Sequence, residues 1–226
     1  MESSTWLWVL FWWLAFAGSH IVLSSAPVRG AIVGRIGAGP FQGLYSLVAL
    51  ATFIPMVSAY WGEQNTGTML WSLRGQPVAT AAAIALGVTA FVLFVASFVQ
   101  PSPTGMDPRA TNEATGVSRI SRHPLFAAFA LWGLAHCLMN GFASDLAFFG
   151  GFIVYSVIGA AHQDSRKKSE RGDAFVAYCQ QTSFWPFGAI ATGRNRLVPG
   201  ELPWVGIAIG AAAGIGIYLL HPTLFG

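Results

Sequence analysis

The stretch SRHPLFAAFALWGLAHCLMNG (121–141) decides the fold. Between Pro124 and Asn140 it carries no Asp, Glu, Lys or Arg. A run this apolar reads as a helix in hydrocarbon, not as the half-buried face of a soluble one. Yet an imidazole, His136, stands deep within it, and a second, His123, stands at its mouth.

The rest of the chain has the same character. Hydrophobic residues make up 54% of the 226 positions and charged residues only 9%. Soluble domains carry roughly 25% charged residues. Six stretches are apolar enough to span, near 6–24, 41–61, 77–99, 124–139, 146–161 and 203–220. The expectation is an all-α, polytopic membrane helix bundle of about six transmembrane helices, forming one domain over 1–226. The segment before the first stretch carries only Glu2 and no basic residue, so that stretch is expected to be a retained helix, not a signal peptide.

Basic residues orient the bundle. Arg29 and Arg35 follow the first stretch, and Arg109, Arg119 and Arg122 follow the third. Arg166, Lys167, Lys168, Arg171, Arg194 and Arg196 follow the fifth. Eleven of the twelve Lys and Arg residues thus share one side, and only Arg74 lies on the other. The positive-inside rule places these loops, 163–202 included, in the cytoplasm and both termini outside, as in a multi-pass protein of a bacterial inner membrane. The net charge of +3 follows from this asymmetry. No basic reading surface for nucleic acid is present.

The loops differ in kind. The segment 100–122 is rich in Pro, Gly and Thr and reads as coil and turns. Within 163–202, residues 165–179 mix basic and apolar side chains, as a helix extending the fifth span or lying on the membrane would. Phe184, Trp185 and Phe187 then belong at headgroup level. In the last span, Gly206, Gly210 and Gly214 recur every four residues. Such a small-residue face serves close packing within the bundle first, and an oligomer seam second.

Of the five histidines, His221 and His162 sit at span ends, where an interfacial role suffices. His20 and His136 sit at depth, where ionisable groups are costly. One role for them is an interhelical hydrogen bond, a contribution of about 0.6 kcal/mol on average. The other is metal ligation by neutral imidazole. His20 lies nine residues from Arg29, roughly 13 Å of helix, and His136 fourteen from Arg122, roughly 21 Å. Both depths are counted from the cytoplasmic edge, on helices that run in opposite directions, so the two are expected at comparable depth, within several Å of each other. No third His, Cys or carboxylate joins them within the spans, which disfavours zinc. A haem asks for only one or two axial ligands, so haem b, gripped from both sides, suits the pair best, with an apolar polyene as its expected partner. The sequence holds no CxxCH for covalent attachment. Arg29, Arg119, Arg122 and His123 are candidate contacts for the propionates. His123 is thirteen residues from His136, about 140° around a helix, so the two do not share a face.

The motifs RISRHPLF, LWGLAH and NG, with HIVLSSAPVR near the start and FQGLYSLVAL at the second span, resemble the NnrU family. That family includes the zeta-carotene isomerases of plants and bacteria. The resemblance runs from His20 to TSFWPF and implies a polytopic membrane protein. In the isomerase branch it implies haem b held by two histidines, here His20 and His136, and redox-dependent isomerisation of a cis double bond in a carotenoid precursor. That branch is also linked to a cysteine ligand one turn before the second histidine, where this chain has Gly133, while Cys137 adjoins His136. The NnrU branch itself is associated with denitrification, as a non-catalytic support of nitric-oxide metabolism.

A more distant resemblance is to the isoprenylcysteine carboxyl methyltransferases, carried by RHP, a basic helix ending in AYC, and TSFWPF. It implies a cytoplasmic S-adenosylmethionine site using Arg122, His123 and Asp164. QDSRKK stands where that family has an acidic pair.

Overall fold

A computed structural model describes residues 5–105 and 111–225. Glu2 and Arg109 lie outside the described residues. Ten α-helices are present among them: α1 (Thr5–Ser24), α2 (Ala26–Ile36), α3 (Ala38–Trp61), α4 (Pro77–Val99), α5 (Val117–Ile120), α6 (Pro124–Met139), α7 (Ala143–Arg171), α8 (Asp173–Gln181), α9 (Gly188–Ala191) and α10 (Trp204–Phe225). Five of them, α1, α3, α4, α7 and α10, are long and apolar enough to cross a membrane.

The helix ends follow local chemistry. Proline occupies the first turn of α2, α4 and α6, where its missing N–H would have no helical partner. Gly37, at φ +85°, separates α2 from α3. Gly172, at φ +58°, turns α7 into α8. Left-handed backbone of this kind favours glycine.

One element departs from the sequence reading, and two accord with it. The loop expected after the first span is largely helical, forming α2. The fifth span continues as one helix to Arg171, so the basic run QDSRKK is helical. The fourth, α6, is the short one, with 16 residues giving about 24 Å of rise against a hydrocarbon core of about 30 Å. It stops at Met139 because Asn140–Phe142 leaves the helix as strand β2 and pairs antiparallel with β1 (Met69–Ser72), Met69 opposite Phe142 and Ser72 opposite Asn140. Gly141 is required there, since a Cβ would fall 2.3 Å from the Trp71 carbonyl oxygen.

In space the long helices follow the order α3–α1–α7–α6–α4–α10, each packed on the next. Hydrocarbon offers no hydrophobic drive for this, so close van der Waals fit carries it. Small residues set the approach. Gly151 of α7 lies under the Trp13 indole, whose Nε1 donates to the Phe148 carbonyl at 3.1 Å. Gly206, Gly210 and Gly214 face Val99, Val92 and Val88, so the glycine stripe of α10 is covered by α4 within the chain. An aromatic core of Trp13, Tyr60, Phe148, Phe149 and Phe152 fills the centre of the α1, α3 and α7 contacts.

Candidate functional site

The two deep histidines approach α7 from either side. α1 runs parallel to α7, since Trp13 meets Phe152, whereas Phe16 and His20 meet Tyr155. α6 runs antiparallel, since Trp132 meets Phe149 and Phe126 meets Tyr155. His20 therefore lies at the level of Tyr155, and His136 at that of Phe149, on which it stacks at 4.2 Å. Six residues of α7 separate these levels, about 9 Å at the helical rise.

Hydrogen bonds orient both rings alike. His20 Nδ1 lies 2.9 Å from the Phe16 carbonyl oxygen, and His136 Nδ1 lies 2.8 Å from that of Trp132. A carbonyl only accepts, so each Nδ1 carries the proton and each Nε2 keeps its lone pair. Bonds to the residue four positions back lean each ring toward the start of its own helix. Because α1 and α6 run oppositely, the rings lean toward one another along the bundle. They are not in direct contact. Ring contacts run His136–Trp132–Phe152–Trp13–Phe16–His20, with successive centroids 4.7, 5.0, 4.8, 5.8 and 4.1 Å apart. Among the described residues, no group of three or more His, Cys, Asp or Glu side chains is placed to hold a metal ion.

Each imidazole, taken by itself, has the form of a ligating histidine. Ligating histidines usually donate their second ring N–H to a carbonyl or carboxylate, which fixes tautomer and orientation. Both imidazoles already have that form. Gly133 has a different task. A Cβ at this position would lie 2.5 Å from the Phe149 carbonyl oxygen, so a larger residue here collides with α7. Cys137 is buried in the aromatic core.

The four candidate propionate contacts fall in three places, with Arg122 and His123 together. Arg29 sits over the Phe41 ring at 5.5 Å. Arg119 makes a two-point pair with Glu201, Nε at 2.7 Å and Nη2 at 2.9 Å, and donates to Asn195. That guanidinium, with the Gly116 N–H, pulls the Glu201 carboxyl down to about 2. Arg122 donates through Nε and Nη2 to one oxygen of Asp164, at 2.8 and 2.6 Å. His123, 2% exposed, bonds through Nε2 to the other, at 2.8 Å. The structure thus gathers Arg122, His123 and Asp164, joining the mouth of α6 to the basic end of α7.

Sequence reasoning missed several participants. Tyr155 and Tyr45 flank His20, and His221 lies 6.3 Å from His136 between ring centroids. Asp145, 1% exposed at the start of α7, accepts from the Tyr60 hydroxyl at 2.6 Å. The signal for Asp145 was available, since it is the lone acid within an otherwise apolar stretch.

The sequence matches the NnrU protein family over residues 8–226. The chain belongs to the NnrU family. Two similar proteins are plant enzymes named 15-cis-zeta-carotene isomerase, chloroplastic. The one from Zea mays is 28% identical over 224 residues, covering 93% of this chain and 58% of the relative. The one from Arabidopsis thaliana is 30% identical over 221 residues, covering 94% and 59%. This NnrU-family chain therefore spans about three fifths of the length of the curated relatives it matches. No solved structure gives a significant match.

Proposed function

We propose that this chain is a multi-pass haem b protein of a bacterial inner membrane that isomerises a cis double bond in a carotenoid precursor. The observation that carries the reading is the matched pair His20 and His136, each with Nδ1–H bonded to a backbone carbonyl and Nε2 available as a ligand. When bound, a haem supplies a redox-active iron that stabilises the transient state in which a double bond rotates.

The chain's own residues would do the rest. His20 and His136 would hold the iron from α1 and α6. Phe16, Trp132 and Phe149 lock the imidazole planes. Phe152 and Tyr155 of α7 supply an apolar wall that excludes water and suits a polyene. Arg29 is the cation we assign to a propionate, because Arg119 and Arg122 are committed to Glu201 and Asp164.

The relatives' names favour isomerisation over methyl transfer. They are chloroplast proteins, so the bacterial membrane rests on the charge pattern of this chain. The test is complementation. Cells blocked at 15-cis-zeta-carotene and kept in the dark are expected to make the isomerised product when they express the full chain, and not when they express His136→Ala. No product from the wild-type chain, expressed and membrane-inserted, contradicts isomerisation.

A further inference from the structure

At the basic end of the bundle a cleft of about 520 Å³ opens between α7, α8 and the turn before α9. Its lining combines the cations Arg122, Lys168 and Arg194 with the apolar side chains of Val176 and Trp185. Its charge is unbalanced. Asp164 answers Arg122 at 2.6 Å, but among the described residues no carboxylate lies within ion-pair distance of Lys168 or Arg194. Arg194 is held in place. Its Nη1 donates to the Gln180 and Thr182 carbonyls at 2.9 and 3.1 Å, and its Nε to Thr192 Oγ1 at 3.0 Å. These bonds leave Nη2 to meet an anion.

The aromatic side chains at the cleft stand out from the protein surface. Trp185 is 62% exposed and Phe187 49%. The turn that carries them is strained. Phe187 has φ +62°, a left-handed conformation costly for a residue with a bulky side chain. It is held by the Phe187 N–H donating to the Ile120 carbonyl at 2.8 Å, and by Ser183 Oγ, which donates to the Trp185 carbonyl and accepts from the Ala189 N–H. Aromatic side chains of this type settle at the headgroup level of a bilayer. An anion with an apolar tail matches both the cationic and the apolar lining, whereas a free soluble anion leaves the exposed Trp185 unused.

We propose that this cleft binds the headgroup of an anionic glycerophospholipid, its phosphate at Lys168 and Arg194 and its acyl chain along Trp185 and Val176. The site is separate from the His20–His136 pair, and it takes its lipid whether or not iron is bound there. It rests on the bundle being embedded in a membrane with this end at one surface.

The test is native mass spectrometry of the full-length protein, released from micelles doped with equal amounts of phosphatidylglycerol and phosphatidylcholine. Wild type is expected to retain one phosphatidylglycerol in preference to phosphatidylcholine. Lys168→Gln is expected to weaken retention about five-fold, the effect of one interfacial cation, and Lys168→Arg to restore it. Lys168 is exposed, so its replacement does not threaten folding. Arg74→Gln, at the opposite end, is expected to leave retention unchanged. Equal retention of the two lipids, or equal retention by wild type and Lys168→Gln, overturns the proposal. So does loss of the bound lipid in millimolar inorganic phosphate, which would assign the cleft to a free phosphate.

Discussion

His136 stacks on Phe149, 4.2 Å between ring centroids and 17° between planes, while its Nδ1 donates to the Trp132 carbonyl. The stack and the hydrogen bond together fix the direction of Nε2. Replacing Phe149 by Leu keeps much of the volume but removes the flat surface. The expected outcome is a loss of about 1 kcal/mol or slightly more in stability, as for other shape changes in packed cores. A broadened or shifted haem absorption band should accompany it. Thermal unfolding in detergent and the visible spectrum of the same sample check both.

Gly133 separates packing from ligation. Its Cβ would sit 2.5 Å from the Phe149 carbonyl oxygen, so Gly133→Cys forces α6 away from α7. The expected cost is about 1–3 kcal/mol, as for overpacking elsewhere, without a thiolate-ligated spectrum. Gly43→Ala is the control, because nothing lies within 4 Å of that position, and its unfolding midpoint should match or exceed that of wild type. A thiolate spectrum in a stable Gly133→Cys protein would show that the position faces iron instead.

The clamp between Arg119 and Glu201 should be legible in acid. Glu201 titrates below its ordinary value, near about 2, so it binds a proton less readily folded than unfolded. Its stabilisation is therefore fully present above the ordinary glutamate range and is lost as pH falls toward about 2. The unfolding midpoint of wild type is expected to exceed that of Glu201→Gln near neutral pH, and the two curves to converge in acid. Parallel curves down to the lowest accessible pH would remove the clamp from the account.

Asp164 accepts from Arg122 and His123 at once, with little solvent around either. Asp164→Asn leaves the Arg122 charge without its partner, and about 3 kcal/mol is expected to be lost. The pair Arg122→Gln with Asp164→Asn should be less damaging than Asp164→Asn alone, because no uncompensated charge remains. Chemical or thermal unfolding of the single and double variants gives the coupling directly.

The spans were legible because hydropathy is a local signal. Pro77–Val99 reads the same in sequence and structure. The depths of His20 and His136 could be counted from the nearest arginine, but that count says nothing of how each ring is turned by its own helix. Non-local chemistry was not legible. Met69 and Phe142 pair across three intervening helices, α4, α5 and α6, and nothing local announces the strands. The position of Gly133 gave no sign that Phe149 lies behind it. Arg119 and Arg122 read as free cations until Glu201 and Asp164 are seen beside them.

The central claim is that His20 and His136 ligate one haem. The most direct measurement is the visible spectrum of full-length protein purified from haem-replete cells, with His20→Ala and His136→Ala beside it. The expected result is a Soret band with b-type features in wild type, weakened or shifted in each variant while both remain folded. A colourless wild-type protein, or a Soret band unchanged in both variants, would contradict it.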